Sequence, residues 1–363
     1  MPSNFTDGNL PSMAELLGAS MSKNIVVGII GAGRIGQVHA KSIAYEIPGV
    51  SIKTVADPFL TDEAAELMKS LGAEKVSKDY KEIINDPEIE AVFICSSTDT
   101  HSPISQEAAI AGKHVFCEKP VDLDIEKIKK TLKVVKDSGV KYQVGFNRRF
   151  DHNFAAVEKA VTDGKVGDVH IVKITSRDPE PPPVSYVKVS GGIFYDMVVH
   201  DFDMARFVTG SEVTEVFAAA SVRVDEEIGK AGDYDTAVVT LKFENGAIAV
   251  IDASRKAVYG YDQRVEVFGS KGSVAIGNDI LTTAVISNAE GVTAEKPKYF
   301  FLERYMGAFT EEKVQFFDAI KNNTTPPVGG YDGLISVVIA EAAKKSAAEN
   351  RPVKISEITD LNV

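Results

Sequence analysis

The feature that most constrains the fold is a glycine motif between a strand and a helix near the start of the chain. An uninterrupted apolar run from Ile25 to Ile30 predicts a strand covered on both faces. A helical pattern begins inside the motif that follows, which is Gly31-Ala32-Gly33-Arg34-Ile35-Gly36. The first glycine allows a tight turn, the second lets the backbone approach a pyrophosphate, and the third lets helix and strand pack closely. The motif therefore predicts a site for dinucleotide phosphates at the helix N-terminus.

An acidic residue at the end of the second predicted strand indicates which dinucleotide is bound. Asp57 lies 21 residues after Gly36, where a carboxylate can accept hydrogen bonds from the adenosine ribose hydroxyls. It would also repel a 2′-phosphate, and the segment Pro58-Phe59-Leu60 contains no Arg or Lys to receive one. NAD is therefore favoured over NADP. The alternatives are that Asp57 is an ordinary turn residue before proline, or that the loop belongs to a methyltransferase.

The length and the rhythm of the chain indicate two domains. At about 150 residues per domain, 363 residues suggest two. Strands and helices alternate up to Gly145, which implies α/β structure with a parallel sheet. Longer strands and hairpin turns such as Glu244-Asn245-Gly246 follow, as in an α+β domain. We predict a Rossmann dinucleotide-binding domain over residues 23–145, then an α+β domain over residues 146–363. The second domain has a large open, mainly antiparallel sheet, and its C-terminal helices pack back towards the first. We treat residues 1–22 as an extension outside the fold.

Charge and cysteine content exclude several classes of protein. The chain has 40 basic and 52 acidic residues, a net charge of −12. That balance argues against nucleic acid or an anionic membrane surface as a partner. No apolar run reaches the 18 residues of a spanning helix. The two cysteines, Cys95 and Cys117, lie in separate strand-like runs, which excludes a disulfide framework and fits a cytoplasmic location.

A lysine in a second motif is a candidate for the active site. Lys119 belongs to Glu118-Lys119-Pro120, at the carboxyl end of a predicted parallel strand. Ligands bind outside these strand ends in open α/β sheets, so the ammonium can reach a substrate oxygen beside the nicotinamide. The Lys119–Pro120 bond is a candidate for the cis form. The alternative is an ordinary surface lysine.

A third candidate group lies on a predicted helix that follows the glycine pair Gly191-Gly192. Asp196, His200 and Asp203 are spaced i, i+4 and i+7, which places all three on one helical face. An imidazole is suited to accept a proton near neutral pH, and a neighbouring carboxylate can orient it. A solvated face is the alternative. A metal site is disfavoured because no cysteine or second histidine lies nearby.

Taken together, these motifs resemble the Gfo/Idh/MocA oxidoreductases and, within them, the inositol 2-dehydrogenases. The resemblance extends over residues 23–357 and includes two further segments, Gly145–Asp151 and Tyr259–Arg264. It implies a homotetramer formed through the open sheet face. It also implies three sets of residues: Lys119, Asp196 and His200 for catalysis; Asn147, Arg148, Asp203 and Tyr261, with Asp196 and His200, for the polyol; and Ser97, His101 and Glu118 near the nicotinamide half of NAD.

The activity implied by this resemblance is NAD-dependent oxidation of a ring secondary alcohol of inositol, with His200 as the general base. A pyranose dehydrogenase of the same family, a glycoside hydrolase that retains NAD, and a non-catalytic sugar-responsive regulator are the alternatives. One segment departs from the pattern of some myo-inositol enzymes, which carry a histidine before Arg-Asn-Pro. Here the segment is Ser176-Arg177-Asp178-Pro179, so the preferred stereoisomer is left open.

Overall fold

The computed structural model of the chain describes residues 24–361. The predicted extension over residues 1–22 lies outside the described residues. No helix in the described range is long and apolar enough to cross a membrane.

The first part of the described chain forms a six-stranded parallel sheet. Its strands are β1 (Ile25–Ile30), β2 (Val50–Ala56), β3 (Lys75–Ser77), β4 (Ala91–Ile94), β5 (His114–Cys117) and β6 (Tyr142–Val144). They lie in the order β3-β2-β1-β4-β5-β6, and every pairing is parallel. The strand order reverses at β1, and ligands of such sheets bind outside the carboxyl ends of the strands at this point.

Helices connect these strands and cover both faces of the sheet. They are α1 (Arg34–Glu46), α2 (Asp62–Ser70), α3 (Lys81–Ile84), α4 (Thr98–Ile110) and α5 (Ile125–Ser138). Side chains of Thr61 and Asp124 cap α2 and α5 by accepting first-turn amides. Helix α1 has Gly33 at its N-cap, and no side chain caps it. Its first-turn amides are thus available to an anion.

The second part of the chain is built on a larger sheet. The further strands of the described range are β7 (Val169–Arg177), β8 (Val213–Ser221), β9 (Thr236–Phe243), β10 (Ile248–Ser254), β11 (Asp262–Gly269), β12 (Gly272–Ile276), β13 (Val285–Asn288), β14 (Gly291–Ala294) and β15 (Val353–Lys354). Seven of them pair in the order β12-β11-β7-β10-β9-β8-β15, while β13 and β14 form a separate exposed hairpin. Only the β7–β10 pairing of the large sheet is parallel. The predicted combination of a Rossmann sheet and a mainly antiparallel sheet is confirmed.

One face of the large sheet is covered by helices and the other is open. The helices of this part are α6 (His152–Thr162), α7 (Val184–Val187), α8 (Ile193–Asp196), α9 (Val199–Thr209), α10 (Glu226–Lys230), α11 (Phe301–Arg304), α12 (Met306–Lys321) and α13 (Gly330–Glu349), with 3₁₀ turns at Asn147–Phe150 and Ile355–Glu357. Along β9 the side chains of Ala237, Val239 and Leu241 are buried, while Val238 is exposed. This alternation is the pattern of a sheet with one face in the core.

The two C-terminal helices join the halves of the molecule. Phe316 of α12 packs against Phe93 and Phe116 of the first sheet, with ring centroids 5.9 and 5.8 Å apart. Helix α13 is apolar on nearly every face, and its middle turns are buried. A Cβ atom on its Gly330 would lie 2.1 Å from Leu132 of α5, so helix and helix are in close contact there.

The predicted single helix that carries Asp196, His200 and Asp203 is in fact two helices, α8 and α9. At the junction the amide of Val198 donates to the carbonyl of Ile193, five residues back, at 2.9 Å. The amide of Asp201 then donates to Val198, three residues back, at 2.8 Å. These bonds replace the regular four-residue spacing, so one continuous helical wheel does not describe the segment.

Candidate active site

A cavity of about 2090 Å³ opens at the carboxyl ends of the parallel strands, between the two halves of the chain. Residues from every motif identified in the sequence line it. Among them are Arg34, Ile35, Ser97, His101, Glu118, Lys119, Asn147, Arg148, Asp196, His200 and Tyr261. These named residues, which lie up to 227 positions apart in the sequence, are thus brought together in the cavity.

The glycine motif at one end of the cavity has the geometry that phosphate binding requires. Gly31 has φ of +101°, and a Cβ atom there would lie 2.5 Å from the carbonyl oxygen of Cys95. A Cβ on Gly36 would lie 2.0 Å from the carbonyl oxygen of Gly31. Gly33 is different, because a Cβ there would meet no atom within 4 Å. The open space at Gly33 and the uncapped amides of α1 fit a bound pyrophosphate.

Asp57 stands beside this loop, at the end of β2. One carboxylate oxygen accepts the amide of Ala32 and the other accepts the amide of Phe59, both at 2.8 Å. The side chain therefore serves as a turn residue and is also held against the glycine motif. Each oxygen retains a lone pair, so the carboxylate fits the ribose hydroxyls of a dinucleotide.

Lys119 connects the nucleotide end of the cavity to α8. The Lys119–Pro120 bond is cis, as predicted. The ammonium donates to the backbone carbonyl of Asp196 at 2.7 Å and lies 3.8 Å from the Oδ1 atom of that residue. The sequence motifs around Lys119 and Asp196 therefore meet in the folded chain.

Glu118 is held in place by a buried chain of polar side chains that sequence analysis missed. Its Oε1 lies 2.7 Å from Nε2 of His39, and Nδ1 of His39 lies 3.1 Å from the ammonium of Lys313. Burial and the Lys313 charge lower the pKa of His39 to about 4. The neutral ring accepts from Lys313 at Nδ1 and donates from Nε2 to Glu118, so the carboxylate is fixed by a helix from the second half of the chain.

His101 and Ser97 form the wall beside this carboxylate. Both ring nitrogens of His101 are bonded to main-chain carbonyls, Nδ1 to Pro120 at 2.8 Å and Nε2 to Ser96 at 3.0 Å. Burial lowers the pKa of His101, but Cys117 and the two carbonyls raise it by more, to about 9. The imidazolium holds the segments of Ser96 and Pro120 together, and neither of its ring nitrogens is free to bind a ligand. Ser97 is the N-cap residue of α4 and lines the cavity.

His200 presents a free imidazole to the same cavity. Within the described residues its Nδ1 atom is buried and has no hydrogen-bond partner. Burial, and then the charges of Lys119 and Arg148, hold the pKa of His200 well below 6.5. The ring is therefore neutral at pH 7, the state in which it can accept a proton.

The carboxylate of Asp196 is bonded to residues other than His200. Its Oδ1 accepts the hydroxyl of Tyr186 at 2.9 Å, and its Oδ2 accepts a guanidinium hydrogen of Arg255 at 3.2 Å. The expectation that Asp196 orients His200 is thus not met. A signal for Arg255 exists in the sequence: alternation along β10 places it on the same face as the buried Ala253, where an arginine requires a partner.

A second polar group forms the part of the cavity away from the glycine motif. Arg148 donates to Asp201 at 2.7 Å and to the hydroxyl of Tyr261 at 3.4 Å. Asn147 precedes it in the same 3₁₀ turn and is also buried. Asp178 lines the cavity too, and its burial raises its pKa to about 6. These side chains offer donors and acceptors to a ligand with several hydroxyls.

Asp203, unlike the other residues predicted to bind the polyol, does not line the cavity. Arg149 donates to it from Nε at 2.8 Å and from a terminal nitrogen at 2.5 Å, and the carboxylate is 1% exposed. This geometry does not favour the prediction that Asp203 binds the polyol. Helical spacing gave the face of the helix but did not reveal the buried arginine that binds this carboxylate.

These features define a class of protein. The glycine motif for dinucleotide phosphates adjoins the cavity that contains a neutral imidazole and an ammonium. This combination of groups is typical of a nicotinamide-dependent oxidoreductase. Residues 25–146 match the oxidoreductase family with an NAD-binding Rossmann fold, and residues 154–275 match the Gfo/Idh/MocA C-terminal domain. The chain belongs to the Gfo/Idh/MocA family of oxidoreductases, and the predicted NAD-binding Rossmann domain is confirmed.

Relatives extend over almost the whole chain. The myo-inositol 2-dehydrogenase of Thermotoga maritima is 49% identical over 332 residues, which are 92% of this chain and 99% of that protein. The inositol 2-dehydrogenase of Rhizobium meliloti is 47% identical, over 91% of this chain and 98% of its own. The solved scyllo-inositol dehydrogenase of Lactobacillus casei, with bound NAD(H) and scyllo-inositol, superposes with a TM-score of 0.86 at 33% identity, over 92% of this chain and 100% of that one.

Proposed function

We propose that this protein is an NAD-dependent inositol 2-dehydrogenase, which oxidises one ring secondary alcohol of an inositol to a ketone in inositol catabolism. The observation that carries the proposal is the convergence of Lys119 and His200 on one cavity that Arg34 and Ile35 of the glycine motif also line. The names and identities of the relatives support inositol as the substrate.

Each of the site's side chains has a separate role in the reaction. NAD, when bound, supplies the acceptor for the hydride that leaves the ring carbon. His200 accepts the proton of the reacting hydroxyl at a ring nitrogen. Lys119 Nζ, which has three hydrogens to donate, binds the reacting oxygen and favours its deprotonated form. Asp196 accepts a hydrogen bond from an adjacent hydroxyl.

The polar group around Arg148 accounts for recognition of a polyol. Arg148, Asn147 and Tyr261 offer groups that a ring rich in hydroxyls can pair. A substrate lacking the matching hydroxyl would leave them buried without partners, which opposes its binding. Asp178 stands where some myo-inositol enzymes have asparagine, so it is a candidate for setting stereoisomer preference.

Initial rates of NAD reduction with myo-, scyllo- and D-chiro-inositol and with glucose, measured side by side, test this function. We expect an inositol to give the highest kcat/KM. A preference for glucose would indicate a pyranose dehydrogenase instead. If no substrate gave net NADH, the protein would be a hydrolase that retains NAD or a non-catalytic regulator.

Replacing Asp57 by alanine tests the cofactor site. Hydrogen bonds to a charged group are worth about 1.5–3 kcal/mol, so we expect KM for NAD to rise by about ten- to a hundredfold and discrimination against NADP to relax. Steady-state kinetics with both cofactors measure this. Asp62→Ala, an exposed acid at the start of α2, is the control and should leave both constants unchanged. Faster turnover of the unmodified enzyme with NADP would contradict the role of Asp57.

We also propose that the enzyme is a cytoplasmic homotetramer assembled through the open face of the large sheet. The free thiols of Cys95 and Cys117 fit a reducing compartment. The open face carries four large apolar side chains that are 41–46% exposed: Ile171, Val238, Ile248 and Phe268. An apolar patch of this kind marks an interface.

Light scattering after size exclusion tests the assembly. We expect a mass four times that of the 39.1 kDa chain. Ile171 and Ile248 are directly paired in the β7–β10 register, so glutamate at both positions should dissociate the sheets. A monomeric unmodified enzyme would contradict the proposal.

A further inference from the structure

Arg255 is a buried arginine whose position the reaction described above does not explain. It directly follows β10, and it is 1% exposed although it lines the cavity. Its backbone amide donates to the carbonyl of Asp235 at 2.8 Å, which fixes where the side chain starts. Within the described residues, its Nε and one terminal nitrogen have no hydrogen-bond partner. A buried guanidinium left so incompletely bonded is costly, so a structural role alone accounts for it poorly.

Two carboxylates neutralise this guanidinium, and both are tied to α8. One terminal nitrogen lies 3.2 Å from Oδ2 of Asp196, and the other lies 3.7 Å from Oδ2 of Asp233. Asp233 also accepts the first amide of α8, from Ile193, at 3.0 Å. Arg255 is therefore anchored beside both ends of this short helix.

Two cations lie near the carboxylate of Asp196, but only one is bonded to it. Arg255 donates to Oδ2, and Tyr186 takes Oδ1. The Lys119 ammonium lies 3.8 Å from Oδ1, too far for a hydrogen bond, and donates to the backbone carbonyl of Asp196 instead. This arrangement leaves hydrogens of the Lys119 ammonium for another acceptor in the cavity.

We propose that Arg255 is a positioning residue of the dehydrogenase: by holding Asp196, it keeps the Lys119 ammonium available to the reacting oxygen. The proposal rests on the function proposed above. Without the guanidinium, Asp196 has Lys119 as its nearest cation, since the carboxylate needs less than 1 Å of movement to reach bonding distance. A direct Lys119–Asp196 ion pair would then compete with the substrate for the ammonium.

The test compares Arg255→Met, which keeps the length of the side chain and removes its charge, with Arg255→Lys, which restores a cation. We expect Arg255→Met to lower kcat by about 10- to 100-fold, the value of a hydrogen bond to a charged group. The dissociation constant for NADH, measured by fluorescence, should stay within about twofold because Arg255 contacts Asp196, Asp233 and Asp235, none of which belongs to the glycine motif. Arg255→Lys should recover most of the lost kcat. Arg223→Met, an exposed arginine just after β8, is the control and should match the unmodified enzyme.

A second prediction concerns dependence on Lys119. In the Arg255→Met background, Lys119→Met should cost several-fold less in kcat than it does in the unmodified enzyme, because the ammonium is already engaged by Asp196. Equal costs in both backgrounds would overturn the proposal. A second outcome would also overturn it. If Arg255→Met bound NADH more weakly and unfolded at a lower temperature, but kept kcat per folded enzyme unchanged, the role of Arg255 would be structural only. If Arg255→Met is not recovered folded, Arg255→Gln serves the same comparison.

The two proposals fail in different ways. If glucose is the best substrate in the panel, the inositol assignment is wrong, and the Arg255 variants are measured with glucose. If the unmodified enzyme turns over an inositol but Arg255→Met keeps full kcat, only the positioning role is overturned. If the unmodified protein turns over none of the substrates, both the proposed function and the positioning role are overturned.

Discussion

Replacing His200 by asparagine is expected to lower kcat by about 10²- to 10⁴-fold, the usual contribution of a general base. The substitution preserves the approximate size of the side chain and removes the nitrogen that accepts the proton. KM for NAD should change little, because the glycine cradle does not involve this residue. Initial rates at saturating inositol and NAD measure the effect. His170→Asn, at an exposed histidine of β7, is the matched control.

The pH profile of the unmodified enzyme gives an independent check on the same residue. Burial and two nearby cations hold the pKa of His200 well below 6.5, so the neutral ring that accepts protons persists on the acid side of that value. We therefore expect the acid limb of kcat to lie below pH 6.5, with activity lost as the pH falls through the lowered pKa. An unchanged kcat in His200→Asn would remove the residue from this role.

Replacing Lys119 by methionine is the second large change. A preorganised donor to the reacting oxygen is typically worth about 10²- to 10³-fold in kcat, and we expect a loss of that size. Lys133→Met, on the exposed side of α5, is the control and should retain full activity. A loss confined to KM for NAD would contradict the assignment of the ammonium to the reacting oxygen.

The Lys119→Met variant should also shift the acid limb of any residual activity. The Lys119 charge is one cause of the lowered pKa of His200. Removing a nearby positive charge favours the protonated ring, so that pKa rises and the limb moves to higher pH. A limb that stayed in place would show that the two side chains do not interact in the working enzyme.

Much of the fold followed from local patterns, because its elements have strong signals. The apolar run Ile25–Ile30 is a strand over those same residues, and the predicted turn Glu244-Asn245-Gly246 lies between β9 and β10. Elements were missed where the signal is short: β3 has three residues and β15 has two. Such strands exist because a neighbouring strand pairs with them, which a local pattern does not show.

Residue type and position in the chain were enough to predict which segments form the candidate site. From the motifs alone we expected Lys119, His200 and the glycine motif to face one site, and Lys119, His200 and Arg34 do line one cavity. They did not show that Asp203 is taken by Arg149, or that Asp196 is bonded to Arg255, 59 residues away. Partners of this kind are chosen by tertiary packing, and several arginines compete for several carboxylates here. Helical periodicity identifies a face, but it does not identify the partner.

The packing of α12 against the first sheet has a consequence for how the chain matures. Phe316 and Phe317 complete the same apolar cluster as Ile29 and Phe93, although nearly 300 residues of sequence separate Ile29 from Phe316. During synthesis the nucleotide-binding half emerges from the ribosome long before these two rings do. Part of its core therefore stays exposed to water until α12 has been made.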